Sequence, residues 1–281
     1  MSETNDIILD IQRVTKEFPG VVALSDVSFS VKRGTIHGIC GENGAGKSTL
    51  MKILAGVYPF DSYAGRIVYN GEELRFGKDS IRQAIEKGIA IVYQELALIP
   101  LMTVGQNIFL GREPGASGVI NWNRLYHETQ KVLDEYNLRI VPSSVVSNLG
   151  VGQQQIVEIA KALSESARVL ILDEPTSALT EAEVDILMGI LAHLKQRGVT
   201  CLYISHKVEE FFRITDNITV FRDGGVVGTL ATRDATYEKI ISMMVGREMR
   251  ERFPAGARSP GEVVLEVKDL SVDSPYQAGK K

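Results

Sequence analysis

The chain has 281 residues, enough for one large domain or for a domain plus a fragment. Its apolar content of 44% supports a sizeable core, and its net charge of −4 excludes a general attraction to nucleic acid or anionic lipid, leaving only local basic patches open. The apolar runs fall far short of the roughly 18 residues of a membrane span, and the opening MSETNDIILD lacks the basic and apolar regions of a signal peptide.

Residues 7–35 alternate apolar and polar in short runs, with turns near Pro19-Gly20 and Arg33-Gly34, which predicts antiparallel strands. Residues 36–40 read as a buried strand running straight into a glycine-rich loop. The stretch 47–55 has helical spacing through Leu50, Met51 and Leu54, with Gly56 as its stop. Residues 95–165 read as largely helical, broken near Pro114-Gly115 and Val141-Pro142. Residues 169–172 are continuously apolar, as in a strand covered on both faces. Thr180 and Glu183 have the spacing of a capping box, and Val184, Leu187, Leu191 and Leu194 form the apolar stripe of the helix behind it, which Gly198 can end. Residues 199–205 make another strand, ending at His206, and Asp223-Gly224 predicts a hairpin between 218–221 and 226–230. The turn-rich, charged ERFPAGARSPGE at 251–262 reads as a linker. After it, VVLEVKDLSV alternates as IILDIQRVTK does near the start, so 263–281 reads as the opening of a second repeat, or as a plain C-terminal strand. Cys40 and Cys201 lie in apolar strand-like runs without zinc-ligand spacing; they read as buried free thiols of a reducing cytosol.

Two motifs carry chemistry. GENGAGKST, holding Gly41, Asn43, Gly44, Ala45, Gly46, Lys47, Ser48 and Thr49, fits G-x-x-x-x-G-K-[ST] between a strand and a helix. Its glycines let backbone N–H groups turn inward around phosphate oxygens, and the helix adds its positive end. Lys47 can reach the outer phosphates of ATP and Ser48 can ligate Mg²⁺. Asp173 ends the apolar strand, where α/β folds gather ligands, and is expected to hold Mg²⁺ through water. Glu174 is placed to take a proton from an attacking water.

Together with NLGVGQQQIVEIAKAL from Asn148, these motifs in this order resemble the ATP-binding cassette (ABC) family over residues 7–250. The resemblance implies an α/β P-loop NTPase fold: a RecA-like parallel-sheet core, an antiparallel β subdomain, and an α-helical signature subdomain at about 95–165 within a cassette of 1–250. It also implies that Gln94 contacts Mg²⁺ and water and senses a membrane partner. His206 would contact the γ-phosphate, and Phe18 would stack on adenine, where its plain alternative is core packing. Leu149, Gly150, Val151, Gly152 and Gln153 resemble the signature Leu-Ser-Gly-Gly-Gln, which meets the γ-phosphate held by a partner cassette. Ser177 to Thr180 resembles the loop that links the two sites, although Asp is commoner where Thr180 stands.

Gly150 departs from the family's serine and so lacks a hydroxyl for that phosphate. KEFPGVVAL, VYQELALIP, NIFLGRE, YISHKVEE and MMVGRE look like the twin-cassette ATPases of bacterial sugar importers, and GVGQQQIVEIAKAL is most like those serving xylose and related monosaccharides. That implies an ATPase peripheral to the cytoplasmic face of the inner membrane. Its partners would be a second cassette, a transmembrane permease and, indirectly, a periplasmic sugar-binding protein, with no nucleic acid. Two alternatives stand beside it: a soluble tandem-cassette ATPase acting on ribosomes or DNA, and a regulatory module that holds ATP without cleaving it.

Overall fold

A computed structural model describes residues 6–77, 79–246 and 265–271. The chain forms two units, Met1–Glu248 and Met249–Lys281. In the first, β1 (Ile7–Phe18) and β2 (Val21–Lys32) form a hairpin turned at Gly20. β3 (Ile36–Cys40) leads through the glycine loop into α1 (Lys47–Leu54). β4 (Ala64–Tyr69) and β5 (Glu72–Glu73) complete a four-stranded antiparallel sheet in the order β2-β1-β4-β5. α2 (Ser80–Glu86) precedes β6 (Ile89–Val92). Then come α3 (Val104–Ile108), a minimal hairpin of β7 (Gly115–Ala116) and β8 (Val119–Ile120), α4 (Trp122–Glu135) and α5 (Val151–Ser164). The chain continues through β9 (Val169–Asp173), α6 (Glu181–Gln196), β10 (Thr200–Ile204) and α7 (Val208–Ile214). It closes with the hairpin of β11 (Asn217–Arg222) and β12 (Gly225–Ala231), then α8 (Tyr237–Val245).

The second sheet has six strands in the order β12-β11-β3-β10-β9-β6, all parallel except the β11–β12 pair. Its central strands are apolar on both faces, and alternate residues feed two cores. Val169 and Ile171 of β9, with Leu202 and Ile204 of β10, pack toward the antiparallel sheet and the Leu50, Met51 and Leu54 stripe of α1. Leu170, Leu172, Cys201 and Tyr203 face the other way, with the stripes of α5 and α6. Each such fully buried aliphatic side chain contributes about 1.5–3 kcal/mol relative to exposure, so the parallel sheet is the rigid platform from which the loops project.

The strands predicted within residues 7–230, α1 and the capping box of α6 are present, and the Thr180–Glu183 bonds form both halves of that box. Asp223 and Gly224 both have positive φ, 49° and 79°, as a two-residue turn between twisted strands requires. Cys40 and Cys201 are buried and free, and burial pushes each thiol up to about 12, which makes them poor nucleophiles. The 95–165 stretch is less helical than its composition suggests. Its three helices are separated by extended segments and the β7–β8 hairpin, and α3 ends after five residues.

In the second unit, 265–271 forms neither helix nor strand, and Leu265, Val267 and Leu270 are exposed. The alternating strand expected there is absent from the described residues. The linker expected at 251–262, with 263–264 and 272–281, lies outside the described residues.

Candidate functional site

The glycine loop leaves the end of β3 and winds into the N-terminus of α1. Gly44 and Gly46 have φ of 84° and 98°, which side-chain-bearing residues rarely adopt, and a Cβ on Gly46 would come within 2.5 Å of the Ala23 carbonyl. No side chain caps α1, so its first N–H groups remain available to an anion. Lys47 is buried, and its Nζ donates to the carbonyls of Gly41 at 2.7 Å and Glu42 at 2.9 Å, bracing the loop from inside. Burial holds the Lys47 ammonium below its ordinary range, while Glu174, Cys40 and Asp173 pull it back up. Asn43, Ala45, Ser48 and Thr49 lie on the same loop and first helical turn.

β9 and β10 deliver the acidic side. The register pairs Ile204 with Asp173, so the two strands end side by side. The Asp173 carboxyl is raised by burial and by the charge of Glu174, and is held back by a hydrogen bond from Ser48 and by Lys47 and Lys52. That bond links the glycine loop directly to β9. Glu174 sits in the left-handed region at φ 47°, and its N–H donates to the Ile204 carbonyl at 3.0 Å. A non-glycine residue there carries strain on the order of 1–2 kcal/mol. The turn aims the carboxylate at His206, whose Nδ1 lies 3.1 Å from Glu174 Oε1.

Gln94 is exposed just beyond β6. Because Val92 pairs with Leu172 in parallel register, Gln94 leaves the sheet beside Asp173 and Glu174. Phe18 is half-buried at the end of β1, edge-on to Tyr58 at 5.5 Å, with Lys16 Nζ 5.0 Å from both ring centres. The signature residues lie elsewhere. Leu149 precedes α5, Gly150 is its N-cap, and Val151, Gly152 and Gln153 form its first turn. Among the described residues, their hydrogen bonds go to neighbours in the chain and to Glu183, and none reaches the glycine loop, Asp173, Glu174 or His206.

Sequence reasoning passes over Lys16, Tyr58 and Glu210. Glu210, in the first turn of α7, is 5% exposed and accepts from Thr176, Tyr203 and Ser205 at 2.7–2.8 Å. Hydroxyls at the ends of buried strands need an acceptor, but that does not say which residue supplies it.

A glycine loop between strand and helix, with an acidic pair at the end of β9, a parallel strand of the same sheet, defines a P-loop nucleotide-binding cassette. The sequence profile of the ABC transporter family matches residues 24–177, and the chain belongs to that family. It is 55% identical over 277 residues to "Xylose import ATP-binding protein XylG" of Thermoanaerobacter pseudethanolicus, covering 99% of this chain and 54% of that protein. It is 47% identical over 279 residues to "L-arabinose transport ATP-binding protein AraG" of Geobacillus stearothermophilus, with the same coverage of 99% and 54%. The chain thus spans about half the length of these curated relatives. Among solved structures it is similar to cbiO1 from Clostridium perfringens, part of the ABC transporter complex cbiONQ, with a TM-score of 0.73 and 26% identity over 86% of this chain and 95% of that one. The ADP conformation of MJ1267, an ATP-binding cassette of an ABC transporter, has the same fold, with a TM-score of 0.72 at 24% identity over 86% of this chain and 99% of that one.

Proposed function

We propose that the chain is an ATP-hydrolysing cassette that energises import of a xylose-type monosaccharide through a membrane permease. The observation that carries the chemistry is the convergence of Lys47, Ser48, Asp173, Glu174 and His206 at the ends of β3, β9 and β10. The sugar and the direction of transport rest on the relatives' names. Among the described residues no helix is long and apolar enough to cross a membrane. The cassette then works as a peripheral subunit on the cytoplasmic face of the inner membrane. A periplasmic sugar-binding protein and the permease choose the sugar. Residues 263–281 open a second cassette, a reading supported by relatives about twice as long.

In this reading Lys47 turns from its own loop carbonyls to the β- and γ-phosphates. The Ser48 hydroxyl and Asp173 carboxylate fit Mg²⁺, leaving the rest of its shell to phosphates and water. The bound ion supplies charge neutralisation on the phosphate oxygens. Glu174 takes a proton from water as the water oxygen bonds the γ-phosphorus and the bond from that phosphorus to the ADP oxygen breaks. His206 orients Glu174, Gln94 lies at the edge facing the permease, and Phe18 with Tyr58 offers an aromatic wall for adenine.

ATP turnover measured across protein concentration tests this. It is expected to rise more than linearly with the chain, as head-to-tail pairs form, and to vanish in Lys47→Ala. Turnover that survives Lys47→Ala would remove the glycine loop from the reaction.

Gly150 bears on the same pairing. Its φ of −63° suits any residue, and the nearest atom to an added Cβ is Glu183 Oε1 at 3.9 Å, so serine fits without strain. Gly150→Ser is expected to raise turnover by roughly tenfold by restoring one charge-assisted hydrogen bond. Steady-state phosphate release reads it, and an unchanged rate means that the missing hydroxyl is not what limits this cassette.

A further inference from the structure

α5 begins without a cap of its own, because Gly150 at its N-cap has no side chain to offer. A carboxylate from another helix fills the gap. Glu183 Oε1 accepts the Gly152 N–H at 3.1 Å, while Oε2 accepts from the Thr180 N–H at 2.9 Å and the Thr180 hydroxyl at 2.8 Å. One side chain therefore serves the first turns of α6 and α5 together. The Thr180 bonds, with help from Gly152, hold its carboxyl below the ordinary range, so it is ionised at neutral pH. The approach depends on Gly152, since a Cβ there would lie 2.6 Å from Glu183 Oε1.

The space beside this contact is small. Glu183 and Gly152 line a cavity of about 60 Å³ together with Gln155 and the apolar side chains of Ile156, Leu179, Ile186 and Leu187. Gln155 is 5% exposed, and its buried Nε2 has no acceptor among the described residues.

We propose that Glu183 is a resident anion of the signature helix, holding the Gly152 N–H until the γ-phosphate of a nucleotide on the facing cassette takes that donor. The inference rests on the reading that cassettes pair head to tail with α5 facing the partner's nucleotide. Two anions cannot share one helix terminus without repulsion. Glu183, half-buried, then leaves Gly152 for solvent while its bonds to Thr180 persist. Because Glu183 is bonded to Thr180, its movement pulls on the turn that follows Glu174. Arrival of the partner's phosphate is thereby transmitted to the loop beside this chain's own base. Glu183 is a positioning residue in this scheme and touches no substrate.

The test uses the whole chain in a Glu174→Gln background, where bound ATP is not consumed. Sedimentation velocity gives the Mg-ATP concentration at half-maximal dimer, with and without Glu183→Gln. Glutamine keeps a capping-box side chain but removes the charge. That concentration is expected to fall by roughly threefold to tenfold, from loss of one competing anion at an exposed site. Binding of a fluorescent ATP analogue by the monomer is expected to stay unchanged, because the glycine loop is untouched. An equal or higher concentration for dimerisation, with dimers forming in both variants, overturns the inference and leaves the pairing intact. No ATP-driven dimer in either variant overturns the pairing, and the inference with it. Hydrogen exchange of the nucleotide-free chain checks the resident contact without any dimer. Gly152 amide protection is expected to fall in Glu183→Ala and also in Glu183→Gln, whose single amide oxygen cannot accept from both Thr180 and Gly152. Equal protection in all three chains overturns it.

Discussion

Glu174→Gln is expected to lower ATP turnover by roughly a thousandfold while leaving ATP binding intact. The substitution isolates basicity from geometry. Glutamine has nearly the shape of glutamate, and its amide oxygen can still accept from His206 Nδ1, now 3.1 Å from Glu174 Oε1. The N–H bond to Ile204 and the left-handed backbone at Glu174 do not involve the side chain and persist. What disappears is the capacity to take a proton from water. Asp173 does not substitute for it in this reading, because its carboxylate would hold Mg²⁺ together with the Ser48 hydroxyl. The variant should accumulate ATP-bound pairs, visible as a nucleotide-dependent shift in sedimentation. Normal phosphate release from Glu174→Gln would mean that another group activates the water. Full activity combined with loss of ATP binding in Lys47→Ala would place the error at Glu174 alone.

The parts of this architecture that are readable from residues alone are those set by local physics. A glycine loop needs positive φ, so Gly44 and Gly46 announce it. A strand buried on both faces needs an unbroken apolar run, so β9 and β10 stand out, and the acids and histidine that end them follow from position. Thr180 and Glu183 are three residues apart and form their box within one turn. The remainder depends on contacts between distant segments. That Glu183 also reaches Gly152, across 31 positions, has no local signature. Glu210 is unreadable for the same reason: its three hydroxyl partners lie on β10, on the strand end after it and on the turn after β9. The loops of 95–165 escape composition because Asn107, fully buried, is spent on the backbone of Ile99 and Thr103, a tertiary use of a polar side chain that periodicity does not register. Gln94 is placed by register with β9 and not by its own neighbours.

Glu210→Ala is expected to destabilise the fold by about 4 kcal/mol, since it strands three buried hydroxyls that now share one carboxylate. Thr176, Tyr203 and Ser205 are each at most 2% exposed, so water cannot readily replace the lost acceptor. In a domain of this size that loss corresponds to a melting shift of roughly 8–16 °C. Burial alone would raise the Glu210 carboxyl, but the bonds from Thr176, Tyr203 and Ser205, with Lys207 nearby, outweigh it and hold it below its ordinary range. A group depressed on folding stabilises fully above its unfolded value, near pH ~4.3, and loses that contribution as pH falls through the folded value. The gap in melting temperature between the parent chain and Glu210→Ala should therefore be widest at neutral pH and narrow in acid. Glu210→Gln, which keeps the volume and one acceptor oxygen, should fall between the two. The network also has a place in the proposed chemistry. Ser205 directly precedes His206, and Thr176 lies two residues beyond Glu174, so the carboxylate ties together the two strand ends that carry the base and its partner. Glu210→Gln should therefore lower kcat with little change in KM for ATP, because the glycine loop is not involved. An unchanged melting temperature in Glu210→Ala would show that the hydroxyls find other acceptors, and an unchanged kcat in Glu210→Gln would confine Glu210 to stability.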